Sequence, residues 1–311
     1  MAGGTTTIIA FAPQQKSEDT LLDTLSATHA EANKQCYSDY SFQLLVSNPS
    51  FKALDKFKIL REHGISSLKI YMTYAALQLQ DDQILDVLLG ARRQRITTMI
   101  HAENGQYLFL TKRDLDRPGF EGAKCVCSPP PREGKQDHEG VWEGLKDKNA
   151  VNGKKTVLSN EFPVGHFKCS PNGCPGVETR LALALSAERL SLQKFVEVTS
   201  ANAAKLYELY PRKGALIPGE SDADLVIWYP PGVLGELQLM NEMLHHNVDC
   251  TQYEGMKAGQ WPRYTMLRGE VVWDRDGGGL VGIKGYGQFL RRDASSLAGS
   301  PSKQDWDITG Q

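Results

Sequence analysis

Two residues stand where a parallel α/β fold would place its chemistry. His101 follows the apolar run Thr97–Ile100, and Lys69 lies inside the run Ser67–Tyr71. A histidine at the carboxyl end of a parallel strand points to where barrel enzymes carry out chemistry, and imidazole is the commonest metal ligand. Burial lowers the pKa of a lysine, so its neutral amine can react or be carbamylated. The alternatives are a hydrogen-bonded core histidine and a lysine that extends into solvent.

The elements that would position these residues alternate along the first 200 residues. Short β-branched runs are separated by helical patterns such as Asp81–Arg93. This order predicts parallel strands with right-handed crossovers, and therefore a (β/α) barrel or a doubly wound sheet. Six strands are predicted, two fewer than a (β/α)8 barrel requires. They are Thr6–Phe11, Ser41–Val46, Ser67–Tyr71, Thr97–His101, Lys124–Cys127 and Lys155–Leu158.

The composition changes after residue 210. A helix is predicted over Leu190–Leu209, ending at Tyr210-Pro211. Gly214–Tyr229 and Tyr264–Asp274 then have strand patterns separated by proline and glycine turns, which predicts a small β region. The predicted organisation is an incomplete (β/α) barrel over 1–210, a β region with a closing segment over 211–293, and a disordered tail over 294–311.

Charge and composition exclude several classes of protein. Lys and Arg total 35 and Asp and Glu total 37, which gives a formal net charge of -2. This near balance argues against nucleic acid or an anionic membrane surface as a partner. The chain contains no apolar run long enough to span a bilayer. Six cysteines in 311 residues are too few for a disulfide framework, so we expect a reduced, cytoplasmic protein.

A series of motifs runs along nearly the whole chain. In order, they are Gly3–Thr6, Ser67–Tyr74, His101–Gly105, Cys127–Pro130, Pro171–Glu178, Thr199–Lys205, Tyr210–Gly214, Ser221–Leu225 and Tyr253–Met256. The residues of these motifs and their order along the chain resemble those of the dihydropyrimidinase/hydantoinase family of cyclic amidohydrolases. The resemblance implies a metal-dependent barrel with a small β-sandwich, which hydrolyses the ring amide of dihydropyrimidines and hydantoins. It also implies a small cyclic amide as substrate, a binuclear zinc centre, and a homo-oligomer that is typically a tetramer.

The motifs carry the family's site residues onto particular positions of this chain. Lys69 matches the carbamylated lysine that bridges the two zinc ions, and His101 matches the fifth-strand ligand. Tyr74 matches the tyrosine that polarises the ring carbonyl. Ser128 and Asn172 match positions whose backbone groups hold the amide face of the substrate. These five assignments rest on the resemblance.

The remaining members of the family's metal site have no match. The sequence given begins at a position matching the family's second strand, so the His-x-His pair of the first strand has no match. The segment between Gly105 and Gln106 that would contain the sixth-strand histidine is also missing. The general-base aspartate of the family is either replaced here by Asn160 or deleted, and Glu161 is the best substitute ligand. Catalytic zinc typically has three protein ligands and a water. With two of six site residues matched, we expect that the chain as written neither holds zinc nor catalyses the reaction.

Three functional hypotheses follow from this comparison. The chain is a hydrolase of cyclic amides, a non-catalytic scaffold like the dihydropyrimidinase-related proteins of animals, or an incomplete gene model of an active enzyme. Loss of two strands would leave unpaired sheet edges. Thr5–Phe11 and Thr97–Ile100 carry no charge or proline that would protect such edges. This favours the incomplete gene model over the scaffold.

Overall fold

The computed structural model describes residues 1–18, 20–72, 77–101, 109–118, 121–127, 139, 142–143 and 173–298. The chain divides into two compact units, each drawn from distant parts of the sequence. Unit 1 comprises Met1–Thr6, Ala102–Ala203 and Ser221–Gly282, and unit 2 comprises Thr7–His101, Ala204–Glu220 and Ile283–Gln311. This division differs from the three consecutive segments predicted, whose boundaries stay a prediction. No helix among the described residues is long and apolar enough to cross a membrane.

Unit 2 is built on a four-stranded parallel sheet in the order β1-β2-β3-β4. The strands are β1 (Thr7–Pro13), β2 (Asp39–Leu45), β3 (Ser67–Ile70) and β4 (Thr97–Ile100). Helices α1 (Leu21–Ala32), α2 (Phe51–Asp55), α3 (Phe57–Glu62) and α4 (Asp81–Arg93) connect them. The first four predicted strands and the α/β class are therefore confirmed.

Local signals in the sequence account for the helix boundaries. The side chain of Thr20 accepts a hydrogen bond from the second residue of α1, and Ser50 caps α2 in the same manner. Helix α4 begins with Asp81 and Asp82 and ends with two arginines, which complement its dipole. Its buried residues are on one face, as its helical periodicity predicts.

The two faces of the parallel sheet carry different side chains, because residues alternate along a strand. One face is apolar: Phe42 and Leu44 of β2 and Leu68 of β3 pack with the helices in one buried cluster. The opposite face, called the inner face below, carries Ser41, Gln43, Ser67 and Lys69 of the same two strands, all of them buried. The candidate site residues are therefore on a polar face of the sheet.

The segment Ile283–Ala298, called the strap below, passes the amino-terminal ends of β2, β3 and β4. Its backbone N–H groups donate to carbonyls that lie just before these strands. The N···O distances are 2.9 Å from Gly287 to Cys36, 3.0 Å from Arg292 to Gly64 and 2.8 Å from Ser295 to Arg95. Gly287 is required by this close approach, because a Cβ there would lie 2.0 Å from the carbonyl oxygen of Ser38.

Arg292 of the strap reaches onto the inner face of the sheet. Its Nε donates to Ser41 Oγ at 3.0 Å and its Nη1 donates to Ser67 Oγ at 2.9 Å. Its Nη2 donates to the carbonyl oxygen of Phe42. The residue is 3% exposed, and burial lowers its pKa to about 10. One planar guanidinium therefore ties β2 to β3 through a fork of donors that lysine could not reproduce.

Two predictions of local structure differ from what is observed, and a third cannot be compared. Lys124–Cys127 is not a strand: a 3-10 helix covers Glu121–Cys125, and a four-residue apolar run does not distinguish the two. The helix predicted over Leu190–Leu209 runs from Leu192 to Leu206, with a π-helical turn in its middle. It ends early because Glu208 adopts a left-handed backbone with φ 57°. Lys155–Leu158 lies outside the described residues.

The edges of the parallel sheet are less buried than its centre. Every residue of β2 and β3 is buried, whereas β1 and β4 are mostly half-buried or exposed. Among the described residues, β1 and β4 are the two edges of this sheet.

Two further predictions can be compared with these edges. Pro13 ends β1, two residues beyond the predicted strand. In the tail expected to be disordered, Ser295 is fully buried and its hydroxyl lies 2.5 Å from that of Thr97.

Unit 1 contains a four-stranded antiparallel sheet in the order β10-β9-β8-β5 and a two-stranded pair β6-β7. These strands are β5 (Leu225–Trp228), β6 (Leu237–Gln238), β7 (Lys257–Ala258), β8 (Pro262–Leu267), β9 (Glu270–Asp274) and β10 (Gly279–Leu280). Helices α5 (Arg180–Ser186) and α6 (Leu192–Val196) belong to this unit, and α7 (Asn202–Leu206) continues from it into unit 2. The predicted small β region is thus present.

Glu178 organises the part of unit 1 that precedes α5. Its carboxylate is 8% exposed and accepts a hydrogen bond of 2.7 Å from the backbone N–H of His245. The ring Nδ1 of the same histidine lies 2.9 Å from the other carboxylate oxygen. Arg275 lies 3.9 Å away and adds positive charge. The carboxylate therefore attaches the 241–249 segment to the start of α5.

A buried ion pair closes the amino-terminal end of β2. Lys213 Nζ lies 2.7 Å from Asp39 Oδ2, and their side chains are 5% and 0% exposed. The second oxygen of Asp39 accepts from the backbone N–H of Gln288 in the strap, at 2.9 Å. The Lys213 segment, the sheet and the strap therefore meet at one carboxylate.

Removing one member of this pair leaves a buried charge without its partner. We expect Lys213→Met to lower the free energy of unfolding by about 3–5 kcal/mol. The double variant with Asp39→Asn should recover part of this loss. Urea unfolding followed by circular dichroism measures both. Lys257→Met, which breaks an exposed pair with Glu236, should leave the midpoint unchanged, and an equal shift in both lysine variants would contradict the prediction.

Arg292→Leu would leave the hydroxyls of Ser41 and Ser67 and a carbonyl of β2 without their donor. Each buried group left unsatisfied costs about 1–3 kcal/mol, so a lower midpoint of urea unfolding is expected. Arg292→Lys should restore only part of it. Arg291→Leu is the matched control, because its neighbour Arg291 is exposed. Equal midpoints for the two leucine variants would show that the guanidinium does not hold the strands together.

Candidate active site on the inner face of the parallel sheet

Lys69 and His101 lie on neighbouring strands and on the same face. Lys69 is in β3 and pairs in register with Met99 of β4. His101 follows β4 directly, and its N–H donates to the carbonyl of Ile70 at 3.2 Å. Since residues two apart share a face, Lys69, Met99 and His101 all belong to the inner face. Both candidate residues therefore lie at the carboxyl-terminal end of the parallel sheet.

Lys69 is buried rather than extended into solvent. It is 9% exposed, with Leu45 and Met99 as its neighbours in register on the flanking strands. Burial lowers the pKa of its amine from 10.5 to about 8. Its Nζ lies 5.4 Å from the ring centroid of Tyr71. Near pH 8, a large share of this amine is therefore neutral and nucleophilic.

The imidazole of His101 is half-buried and stacked on an aromatic ring. Its centroid is 4.7 Å from that of Tyr71, and the two planes differ by 22°. Tyr71 was not singled out from the sequence, although its position two residues after Lys69 places it on the same face. Arg292 was also missed, because its partners are some 250 and 225 residues away along the chain.

None of the other predicted site residues is among the residues that the structure describes. Tyr74, Ser128, Asn172, Asn160 and Glu161 lie outside the described residues, so their assignments stay predictions. The described residues near two of them are joined by a hydrogen bond, since Val126 lies two residues before Ser128 and Gly173 directly follows Asn172. The N–H of Gly173, which follows Asn172, donates to the carbonyl of Val126 at 2.9 Å.

The described residues do not fit a zinc centre by themselves. Within the described ranges, no group of three His, Cys, Asp or Glu side chains is arranged to hold a metal ion. Lys69 and His101 are two of the ligands implied by the resemblance, whereas catalytic zinc typically takes three with a water. Any metal bound on this face would therefore need ligands from outside the described residues.

The buried amine gives a prediction about stability and pH. Because the pKa of Lys69 is lowered on folding, the folded state binds fewer protons than the unfolded state between pH 8 and 10.5. Stability therefore rises with pH across that window, and below it the buried ammonium is unfavourable. Lys69→Met should unfold at higher urea than the wild type at pH 7, with a difference that shrinks toward pH 10.5.

Lys58→Met provides the control for this comparison, because Lys58 is exposed on α3. Its difference from the wild type should not change with pH in the same urea titrations. A Lys69→Met protein that is less stable than the wild type at pH 7 would contradict a net cost of burying this ammonium.

Comparison with known proteins identifies the family. The model of the amidohydrolase family matches residues 169–272. The D-hydantoinase of Rhizobium radiobacter is 30% identical over 93% of this chain and 81% of its own length. The D-hydantoinase of Geobacillus stearothermophilus is also 30% identical, over 93% of this chain and 79% of its own length.

Solved structures agree with the sequence comparison. A crystal structure of a D-hydantoinase superposes with a TM-score of 0.86 at 30% identity, covering 96% of this chain and 82% of the other. The dihydropyrimidinase from Brevibacillus agri also gives 0.86, at 26% identity, covering 97% and 82%.

The aligned region of the relatives is longer than the part of this chain that it matches. The match to the Rhizobium radiobacter protein extends over 382 residues, whereas 93% of this 311-residue chain is only about 289. Some 90 positions inside the match, 382 less 289, therefore have no counterpart here. This agrees with the expectation of missing internal elements. Even with these gaps, similarity covers nearly all of the chain, which belongs to the hydantoinase/dihydropyrimidinase family of amidohydrolases.

Proposed function

We propose that the protein is a hydrolase of cyclic amides that opens the ring of a hydantoin or a dihydropyrimidine. The observation that carries the proposal is the similarity to a D-hydantoinase over 93% of this chain and 81% of that enzyme. Lys69 and His101 support it, because both lie on the inner face at the carboxyl ends of neighbouring strands. This is where parallel α/β barrels place their active sites.

The proposed reaction adds water across a ring amide. A water oxygen attacks the carbonyl carbon, the C–N bond breaks, and the leaving nitrogen takes a proton, which yields an N-carbamoyl amino acid. In the family, two zinc ions supply the activated water, and in this chain they would need further ligands from outside the described residues. Of the ligands, this chain's described residues supply Lys69 and His101. The proposal also includes a cytoplasmic homo-oligomer as the active form, since members of the family are typically tetramers.

The proposal is tested by supplying zinc and measuring ring opening. Purified protein, shown to be folded by circular dichroism, is incubated with zinc and either hydantoin or dihydrouracil. Chromatography should detect the N-carbamoyl product, and removal of zinc with a chelator should abolish it. His101→Ala should lose the activity, whereas Lys58→Ala on α3 should retain it. Folded, zinc-supplied protein that gives no product would reject the proposal.

A non-catalytic role is the second candidate. The observation that favours it is that only two of the six metal-site residues implied by the resemblance have a match in the sequence. Zinc content after dialysis separates the two functions. Protein that opens rings should retain zinc in stoichiometric amounts, whereas a scaffold should retain none.

The incomplete gene model is tested on the native protein from its source. The internal positions without a counterpart favour it. Peptide mass spectrometry should then find peptides upstream of Met1 that contain a His-x-His pair, and no peptide that bridges Gly105 and Gln106. An intact species near 34.4 kDa that contains the bridging peptide would show that the short chain is real.

A further inference from the structure

We propose that Tyr71 is a positioning residue that fixes the imidazole of His101 and the amine of Lys69 relative to each other. Neither the motifs nor the comparisons assign a role to this tyrosine. Its expected effect on turnover rests on the proposed function. Its effect on the orientation of His101 does not, and can be measured without any activity.

One aromatic ring contacts both candidate site residues. The ring of Tyr71 is stacked on the imidazole of His101, with centroids 4.7 Å apart and planes 22° from parallel. The Nζ of Lys69 lies 5.4 Å from the centroid of the same ring, within the range of a cation–π interaction. Tyr71 is therefore a physical link between two side chains that come from different strands.

The backbone around this ring is held at several points. The carbonyl of Tyr71 accepts from the N–H of Leu79 at 3.1 Å, and Tyr71 forms an isolated parallel bridge with Gln78. Leu79 is 5% exposed and belongs to the apolar cluster under the helices. His101 is fixed to β3 through Ile70. Because both rings start from anchored backbone, the stack has little freedom to slide.

Stacking is suited to orienting an imidazole that must act through its nitrogens. A stacked ring engages the flat face of the imidazole, whereas both nitrogens point outward along its edge. The same ring lies beside the end of the Lys69 side chain, 5.4 Å from Nζ to its centroid, and so limits where that end can move. A leucine would fill the same space without a preferred plane. A phenylalanine would retain both contacts, since neither depends on the hydroxyl.

The test compares ring-free and ring-retaining variants by nuclear magnetic resonance. Protein with isotope-labelled histidine gives ring signals, and His101→Gln identifies that of His101. In the wild type and in Tyr71→Phe, the ring current should shift this signal upfield. In Tyr71→Leu the shift should be lost. Tyr264→Leu, the same substitution on β8 of unit 1, should leave it unchanged.

Turnover gives the second readout. If the proposed function is correct, loss of positioning in Tyr71→Leu should lower kcat by about 10- to 100-fold with a smaller change in KM. Tyr71→Phe should retain the kcat of the wild type. A wild type without turnover would reject the proposed function, while the histidine signals would still decide the role of Tyr71.

Two results would overturn the inference. The first is an unshifted His101 signal in the wild type, or no nuclear Overhauser contact between the two rings. The second is a Tyr71→Phe variant that behaves like Tyr71→Leu, which would assign the effect to the hydroxyl. Tyr71→Met is the alternative ring-free variant if the leucine variant fails to fold, and the wild-type ring contact decides the question if neither folds.

Discussion

Unit 2 depends on covering both faces of its parallel sheet. Helices cover the apolar face, where burial of leucine, isoleucine and phenylalanine side chains stabilises the fold. The inner face carries hydroxyl and amide groups, which are costly to bury without hydrogen bonds. Arg292 supplies three donors to two strands at once, and its planar fork matches the spacing of Ser41 and Ser67. Together with the strand ladder, this guanidinium therefore holds β2 and β3, and so Lys69, in place.

Two buried cations on the inner face differ in their surroundings, and this difference suits one to a structural role and the other to a chemical one. Arg292 is matched by three acceptors and remains charged at pH 7, with a pKa of about 10. Lys69 lies between Leu45 and Met99 in register, and its pKa falls to about 8. The arginine is suited to holding strands together, whereas the lysine is unfavourable for stability in its charged form. A costly group kept at the end of a strand is typical of a functional site.

Residue patterns in the sequence predicted those strands and helices that are determined by neighbouring residues along the chain. The β-branched runs predicted all four parallel strands, and the position of Lys69 inside the run Ser67–Tyr71 singled it out as a candidate site residue. The same patterns failed at Glu121–Cys125, where a short apolar run suits a helical turn equally well. They did not predict the roles of Tyr71 and Arg292 because both depend on partners from other strands. Apart from Lys69 and His101, the metal ligands implied by the resemblance have no match among the described residues.

The position of Arg292 in the sequence has a consequence for synthesis. Arg292 of the strap is made 192 residues after β4 ends at Ile100. At translation rates of about 5–20 residues per second, this interval lasts roughly 10–40 s. During it, the nascent sheet has no guanidinium for the hydroxyls of Ser41 and Ser67. Until the strap has been synthesised, the parallel sheet of unit 2 therefore lacks the donors that Arg292 supplies to β2 and β3.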